Sequence, residues 1–260
     1  MKSAIVIPVR YGSSRFPGKP LAQIKGRTML ERIWRLCRSV SEVDQVIVAT
    51  DDERIEDHAR GFGAECVRTP GSCRNGSERV FEAVLKLPTK PELVINVQGD
   101  AVLTPPWMIQ ALVNYMQQNQ TCRLGTLAYA FTDQEFESAR KAPAGSSGVF
   151  VTMNNGGQAL YFSRAIIPHW RDGAGRRPEL YRHVGIYAFQ FETLRRYISF
   201  EPGALEETEK LEQLRALENG IPIHVVTADR RGRTLCSVDC PEHAVRAADI
   251  IEREGELLPD

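Results

Sequence analysis

Neither sign of charge predominates in this chain: Lys and Arg together number 33, Asp and Glu also 33, and the formal net charge is zero. That balance excludes a global field drawing the protein onto nucleic acid or an anionic membrane, so any affinity for anions must come from a local cluster. No apolar run approaches the roughly 20 residues of a spanning helix, and the N-terminus enters a strand pattern without a signal-peptide stretch. A cytoplasmic protein with no membrane or nucleic-acid partner is expected. The six cysteines (Cys37, Cys66, Cys73, Cys122, Cys236, Cys240) form no C-x-x-C pair and read as small, mostly buried residues in a reducing compartment. Cys236 and Cys240 with nearby His243 suggest zinc, but a fourth ligand is not evident. Repeats, low-complexity tracts and clear linkers are also missing. With 260 residues, 42% of them hydrophobic, the chain can bury a large α/β core as one domain spanning 1–260.

What is present is an alternation of strand and helix patterns. Ala4–Val9, Gln45–Ala49, Ala64–Arg68 and Leu93–Val97 read as strands, and Met29–Val40, Glu53–Phe62, Glu78–Leu87 and Pro106–Gln118 as helices. This order predicts a doubly wound, mostly parallel, Rossmann-like sheet whose ligand sits beyond the carboxyl ends of its strands. The second half changes character. Leu124–Phe131, Gly148–Met153 and Ala159–Ser163 read as strands, the last two joined by the tight turn Asn154-Asn155-Gly156-Gly157. An antiparallel extension follows, plausible as a dimer surface. His169–Pro178 reads as a mobile loop, His183–Phe189 as a strand, Glu206–Glu218 as one helix and Pro241–Arg253 as the last.

Chemistry concentrates after the first strand. Arg10-Tyr11-Gly12-Ser13-Ser14-Arg15-Phe16-Pro17-Gly18-Lys19 carries two glycines, two serines, two arginines and a lysine. Glycines let backbone N–H groups approach an anion, and the cations neutralise charge that would repel a nucleophile, so the loop suits a triphosphate. Neither Walker A nor the dinucleotide fingerprint matches its spacing. Gln98-Gly99-Asp100 ends an apolar strand, and Asp239 precedes the final helix. Two carboxylates facing a basic loop make sense with Mg²⁺ between them, although each aspartate alone is also an ordinary turn or N-cap residue.

The loop from Arg10 to Leu21 resembles the opening signature of the cytidylyltransferases that activate 3-deoxy-manno-octulosonate (Kdo). So do Val48-Ala49-Thr50-Asp51-Asp52, Gly76-Ser77-Glu78-Arg79, Asn96-Val97-Gln98-Gly99-Asp100 and Ala159-Leu160-Tyr161-Phe162-Ser163-Arg164. His183-Val184-Gly185-Ile186-Tyr187, Glu209 to Glu218, and Val238-Asp239 extend the likeness over nearly the whole chain. The resemblance implies the nucleotide-diphospho-sugar transferase type of fold and transfer of CMP from CTP to the anomeric hydroxyl of a sugar acid. It implies that Arg10, Arg15 and Lys19, with backbone from Gly12, Ser13 and Ser14, hold the triphosphate. Arg15, Lys19, Asp100 and Asp239 are then the catalytic set, with Asp100 and Asp239 the Mg²⁺ ligands. Asn75, Gly76, Ser77 and Arg79 occupy the cytosine-reading turn. Gln98, His183, Tyr187, Glu212 and Gln213 align with the acceptor pocket, although His183 also suits a core histidine and Tyr187 an ordinary strand aromatic. Residues 124–190 become an acceptor-binding or dimerisation sub-lobe of a homodimer. The product, CMP-Kdo, would serve a cell that makes lipopolysaccharide or an acidic capsule.

Departures cluster on the acceptor side. Ala101-Val102 stands where the family usually has Glu-Pro, Phe150 where it has a lysine, and Cys240 and His243 replace residues near the last helix. Losing a carboxylate and a cation would reshape which acid fits. Alternative acceptors are therefore an amino-substituted octulosonate, another 2-keto-3-deoxy sugar acid or a phosphonate; a CTP-binding protein without turnover is the remaining reading.

Overall fold

A computed structural model describes residues 1–13, 15–143, 148–171 and 177–258. Ser14 and residues 172–176 of the expected loop lie outside the described residues. The strands are β1 (Ser3–Pro8), β2 (Gln23–Ile24), β3 (Arg27–Thr28), β4 (Gln45–Thr50), β5 (Glu65–Arg68), β6 (Leu93–Val97), β7 (Leu124–Ala130), β8 (Phe150–Met153), β9 (Ala159–Ser163), β10 (Tyr181–Gln190) and β11 (His224–Thr227). The helices are α1 (Met29–Arg38), α2 (Glu53–Gly61), α3 (Gly76–Lys86), α4 (Pro106–Gln118), α5 (Asp133–Lys141), α6 (Phe191–Ile198), α7 (Ala204–Glu209), α8 (Leu214–Glu218) and α9 (Pro241–Glu254).

Seven strands form a row in the order β11-β7-β10-β6-β1-β4-β5. Only β10 runs against the others, pairing antiparallel with both β6 and β7. The β8–β9 hairpin pairs with β10 off this row and forms the antiparallel extension. Alternation along β1 explains why the sheet is covered twice. Ile5 and Ile7 enter a core packed by α1, α2, α4 and α9, while Ala4 and Val6 enter a second packed by α3, α6 and α8. Burial on both faces is what a parallel sheet requires, and it leaves ligand space only at the strand ends.

Three sequence expectations change. The helix over Glu206–Glu218 is two, because Lys210 turns left-handed at φ 55 and breaks it. Arg164 docks there, its Nε donating to the Glu209 carbonyl at 2.9 Å and its Nη2 to the Lys210 carbonyl at 3.5 Å. Those carbonyls are the acceptors a continuing helix needs. Helices α5 and α6 form where no helix was expected. Phe150 does not face a ligand cavity: it is fully buried with Phe136 and Leu180, its ring 5.4 Å from Phe131.

Candidate active site

Two cavities open beyond the strand ends. The smaller, about 370 Å³, is walled by the loop after β1, the start of α3 and the end of β6. Arg10, Ser13, Arg15, Lys19, Asn75, Gly76 and Arg79 line it. Asn75 caps α3, its Oδ1 accepting from the Glu78 N–H at 2.9 Å, so the turn is held by the helix it begins. Arg79 is buried at 4% exposure and fixed by Thr69 Oγ1 at 2.7 Å and Asp51 at 3.3 Å. Gly12 and Ser77, both expected at the nucleotide, are not among the lining residues. Gly12 is exposed, and Ser77 is buried at 1% with its hydroxyl turned to Glu212.

The larger cavity, about 760 Å³, is lined by His183, Tyr187, Glu212 and Gln213 as expected positions, and by Ala101. Val149 faces it in place of Phe150, so of the acceptor-side departures Ala101 and His243 reach the wall while Val102, Phe150 and Cys240 do not. The two cavities share Gln98, Asp100 and Asp239. There Lys19 Nζ lies 3.5 Å from Asp100 Oδ2 and 3.3 Å from Asp239 Oδ1, with Arg15 Nη2 3.4 Å from the same Asp239 oxygen. The backbone fixes this convergence. Val238 N–H donates to the Asp100 carbonyl at 3.0 Å, so residues 139 positions apart arrive side by side (239 − 100). Burial pushes the Asp100 carboxyl above its ordinary range; Lys19 pulls it down and the Asp239 charge adds to the rise. Asp239 N–H donates to His243 Nδ1 at 3.2 Å, and Cys236 Sγ points at backbone carbonyls.

In the larger cavity the polar groups are held by buried partners. Tyr187 Oη donates to Gln213 Oε1 at 2.9 Å, while Gln213 Nε2 is buried with no hydrogen-bond partner among the described residues. Such an orphaned amide in a cavity wall is a donor awaiting a ligand or water. Thr126 Oγ1 lies 2.9 Å from His183 Nε2 and 2.8 Å from the Ile186 carbonyl. The hydroxyl's one proton goes to that carbonyl, so Nε2 carries the ring proton and Nδ1 keeps its lone pair. Burial lowers the His183 pKa to about 3, and the ring is therefore neutral. Burial also raises the Glu212 carboxyl, opposed by the hydrogen bond from Ser77 and by Arg215.

A family model described as cytidylyltransferase matches residues 4–224. The 3-deoxy-manno-octulosonate cytidylyltransferase of Maricaulis maris is 47% identical over 99% of this chain and all of its own length. The chain belongs to that family. The enzyme of the same name from Oleidesulfovibrio alaskensis is 44% identical over 85% of this chain and 86% of its own. Among solved structures, a CMP:2-keto-3-deoxy-manno-octonic acid synthetase complexed with CTP superposes with a TM-score of 0.87, at 33% identity over 98% of this chain and all of its own. A 4-diphosphocytidyl-2C-methyl-D-erythritol synthase from Anaerococcus prevotii, at 16% identity and TM-score 0.61 over 97% and 99% of the two chains, shares the fold alone.

The acceptor-side wall carries cations the sequence reading did not single out: Arg164, Arg182, Lys210 and Arg246. Arg182 was the most legible, since it directly precedes His183 on a strand. Arg246 had no local signal, because α9 reaches the cavity only through tertiary packing. Cys73 and Arg74 are likewise unforeseen in the smaller cavity.

Proposed function

We propose that this protein transfers the cytidylyl group of CTP to the anomeric hydroxyl of Kdo, giving CMP-Kdo and pyrophosphate. The observation that carries this reading is the shared seam: Gln98, Asp100 and Asp239 belong to both cavities, with Lys19 between the carboxylates. A reaction joining two substrates needs its reacting groups at such a junction. In this reading Arg10, Ser13, Arg15 and Lys19 hold the triphosphate, and Asn75, Gly76 and Arg79 hold the base. The acid lies in the larger cavity, where Arg164, Arg182, Lys210 and Arg246 balance its carboxylate. His183 accepts a sugar hydroxyl at Nδ1, and the free Gln213 amide donates to another oxygen.

The sugar hydroxyl forms a bond to the α-phosphorus, the bridging bond to the β-phosphate breaks, and the hydroxyl proton is lost to solvent. Positioning and charge neutralisation do most of the work. Arg15 and Lys19 stabilise the departing pyrophosphate.

Asp100 and Asp239 fit a Mg²⁺ ion: two hard carboxylates converge on one ammonium, a spot where positive charge is already favoured. Among the described residues no cluster of three or more His, Cys, Asp or Glu forms, and Mg²⁺ beside phosphate needs only one or two carboxylates. When bound, the ion supplies neutralisation of phosphate charge and acidifies a coordinated hydroxyl.

The reading carries a cytoplasmic location, where CTP is available; no described helix is long and apolar enough to cross a membrane. It also carries a homodimer through the β8–β9 hairpin, whose Leu160 is 62% exposed. Sedimentation of wild type beside Leu160→Glu tests the dimer, and a monomer in both ends it. Pyrophosphate release with CTP and Mg²⁺ tests the reaction. Turnover with Kdo is expected. Silence with Kdo and turnover with 8-amino-Kdo or a phosphonate would make Ala101 and His243 the discriminating positions, and CTP binding without any turnover would overturn the enzymatic reading.

A further inference from the structure

Four side chains run in series beneath the seam. Gln98 Nε2 donates to Asn96 Oδ1 at 3.1 Å, Asn96 Nδ2 to Ser77 Oγ at 3.2 Å, and Ser77 Oγ to Glu212 Oε2 at 3.0 Å. The two inner members are sealed, Asn96 at 0% and Ser77 at 1% exposure, and neither lines either cavity. The two outer members do: Gln98 lines both cavities and Glu212 the larger.

The direction of this chain is not free. The Ser77 hydrogen bond and Arg215 both favour the ionised form of Glu212 against its burial; that carboxylate only accepts, so the Ser77 hydroxyl gives its single proton to Glu212. Ser77 Oγ must then accept from Asn96, which fixes the NH₂ edge of that amide. Asn96 therefore offers its oxygen to Gln98, and Gln98 must answer with its own NH₂. The charge on Glu212 sets the orientation of the Gln98 carboxamide through three bonds and leaves Gln98 Oε1 as the acceptor for a ligand. Reversing one member would face two donors or two acceptors inside the core, where each unmade bond is costly.

We propose that Ser77 and Asn96 are positioning residues for the acceptor acid, carrying the polarity of the Glu212 carboxylate to Gln98 at the seam. This reassigns Ser77 from the nucleotide to the acceptor, and it rests on the reading of the larger cavity as the Kdo site.

Steady-state kinetics on Ser77→Ala and Asn96→Asp, with CTP titrated calorimetrically onto each in the absence of acid, test it. Asn96→Asp keeps the side-chain shape and the acceptor for Gln98 but replaces the donor to Ser77. It reads polarity apart from packing and serves if Ser77→Ala folds poorly. Each variant is expected to raise KM for Kdo about tenfold while CTP affinity stays within about twofold. The double variant should exceed the worse single by no more than about threefold, because both break one chain. Weakened CTP binding with unchanged KM for Kdo would return Ser77 to the nucleotide. Unchanged KM for Kdo in both variants, or fully multiplicative effects, would sink the relay alone. Wild type that turns over no sugar acid would remove the acceptor reading and the relay with it.

Discussion

The guanidinium of Arg54 lies 3.4 Å from the centre of the Tyr11 ring. Asp52, the N-cap of α2, grips the same guanidinium at 2.9 Å and 2.6 Å. On its other side the loop closes on itself, the Tyr11 carbonyl accepting from Gly18 N–H at 3.0 Å. Gly18 has φ +71 and lies so near the ring that a Cβ would stand 3.2 Å from it. Helix α2 thus braces the root of the cationic loop through an aromatic ring. Arg54→Ala is expected to raise KM for CTP about fivefold, with kcat changed less, because the brace orders the loop and touches no reacting atom. Arg54→Lys should recover only part, lacking the planar face that stacks and pairs at once. An unchanged KM for CTP in the alanine variant would show the brace to be idle.

Asp100 and Asp239 converge on Lys19, and their mutual repulsion is a cost. Burial and Asp239 both raise the Asp100 carboxyl, which means the folded state disfavours that charge at neutral pH. Asp100→Asn should therefore raise Tm in metal-free buffer while abolishing both turnover and the Mg²⁺-induced rise in Tm expected of wild type with CTP. A variant less stable than wild type without metal would contradict this account.

Gly99 is required by a close approach. A Cβ there would stand 2.5 Å from Val9 Cγ1 and 3.2 Å from the Pro8 carbonyl, at the end of the central strand. Pro8 and Val9 resist displacement, since Pro8 pairs with Ala49 on β4 and Val9 N–H is tied to the Ala49 carbonyl at 2.9 Å. Gly99→Ala is expected to cost about 2 kcal/mol in urea unfolding. It should also lower kcat, because Asp100 is the next residue. A loss under about 0.5 kcal/mol would mean the strand end is softer than its pairing implies.

Much of this site was legible because its signals are local. A buried strand ending in Gln98-Gly99-Asp100, or breaking into a loop of glycines and cations, announces a strand end with a carboxylate or an anion to hold. What stayed hidden depends on partners distant in sequence. Nothing within Glu206–Glu218 marks the break at Lys210, where Arg164, just beyond β9, takes the carbonyls of Glu209 and Lys210. Ser77 sits in a turn that reads as nucleotide-binding, and only the fold brings Glu212, 135 positions away, to its hydroxyl. The side of the strand occupied by Phe150 was equally unreadable, since β8 has one neighbour on each side and a register shift between Thr152 and Met153. By contrast α5 was readable: Thr132-Asp133-Gln134-Glu135 has the capping-box spacing, and both reciprocal bonds form.

His183 makes the acid side of the stability curve testable. Its folded pKa, lowered to about 3 by burial, lies below the ordinary 6.5 of the unfolded chain. Between those values the unfolded state binds the extra proton, so stability rises with pH across that window. The contribution is fully present above about pH 6.5 and is lost as pH falls toward 3. One such proton gives a slope of at most about 1.4 kcal/mol per pH unit. His183→Gln keeps a donor for Thr126 but cannot be protonated, so its urea-unfolding free energy should fall less steeply than wild type between pH 6.5 and 4.5. Its KM for Kdo should meanwhile rise, because the amide does not reproduce the Nδ1 lone pair in the cavity. Equal slopes for the two proteins would mean that the imidazole already binds a proton in the fold, and the neutral-acceptor role of Nδ1 would go with it.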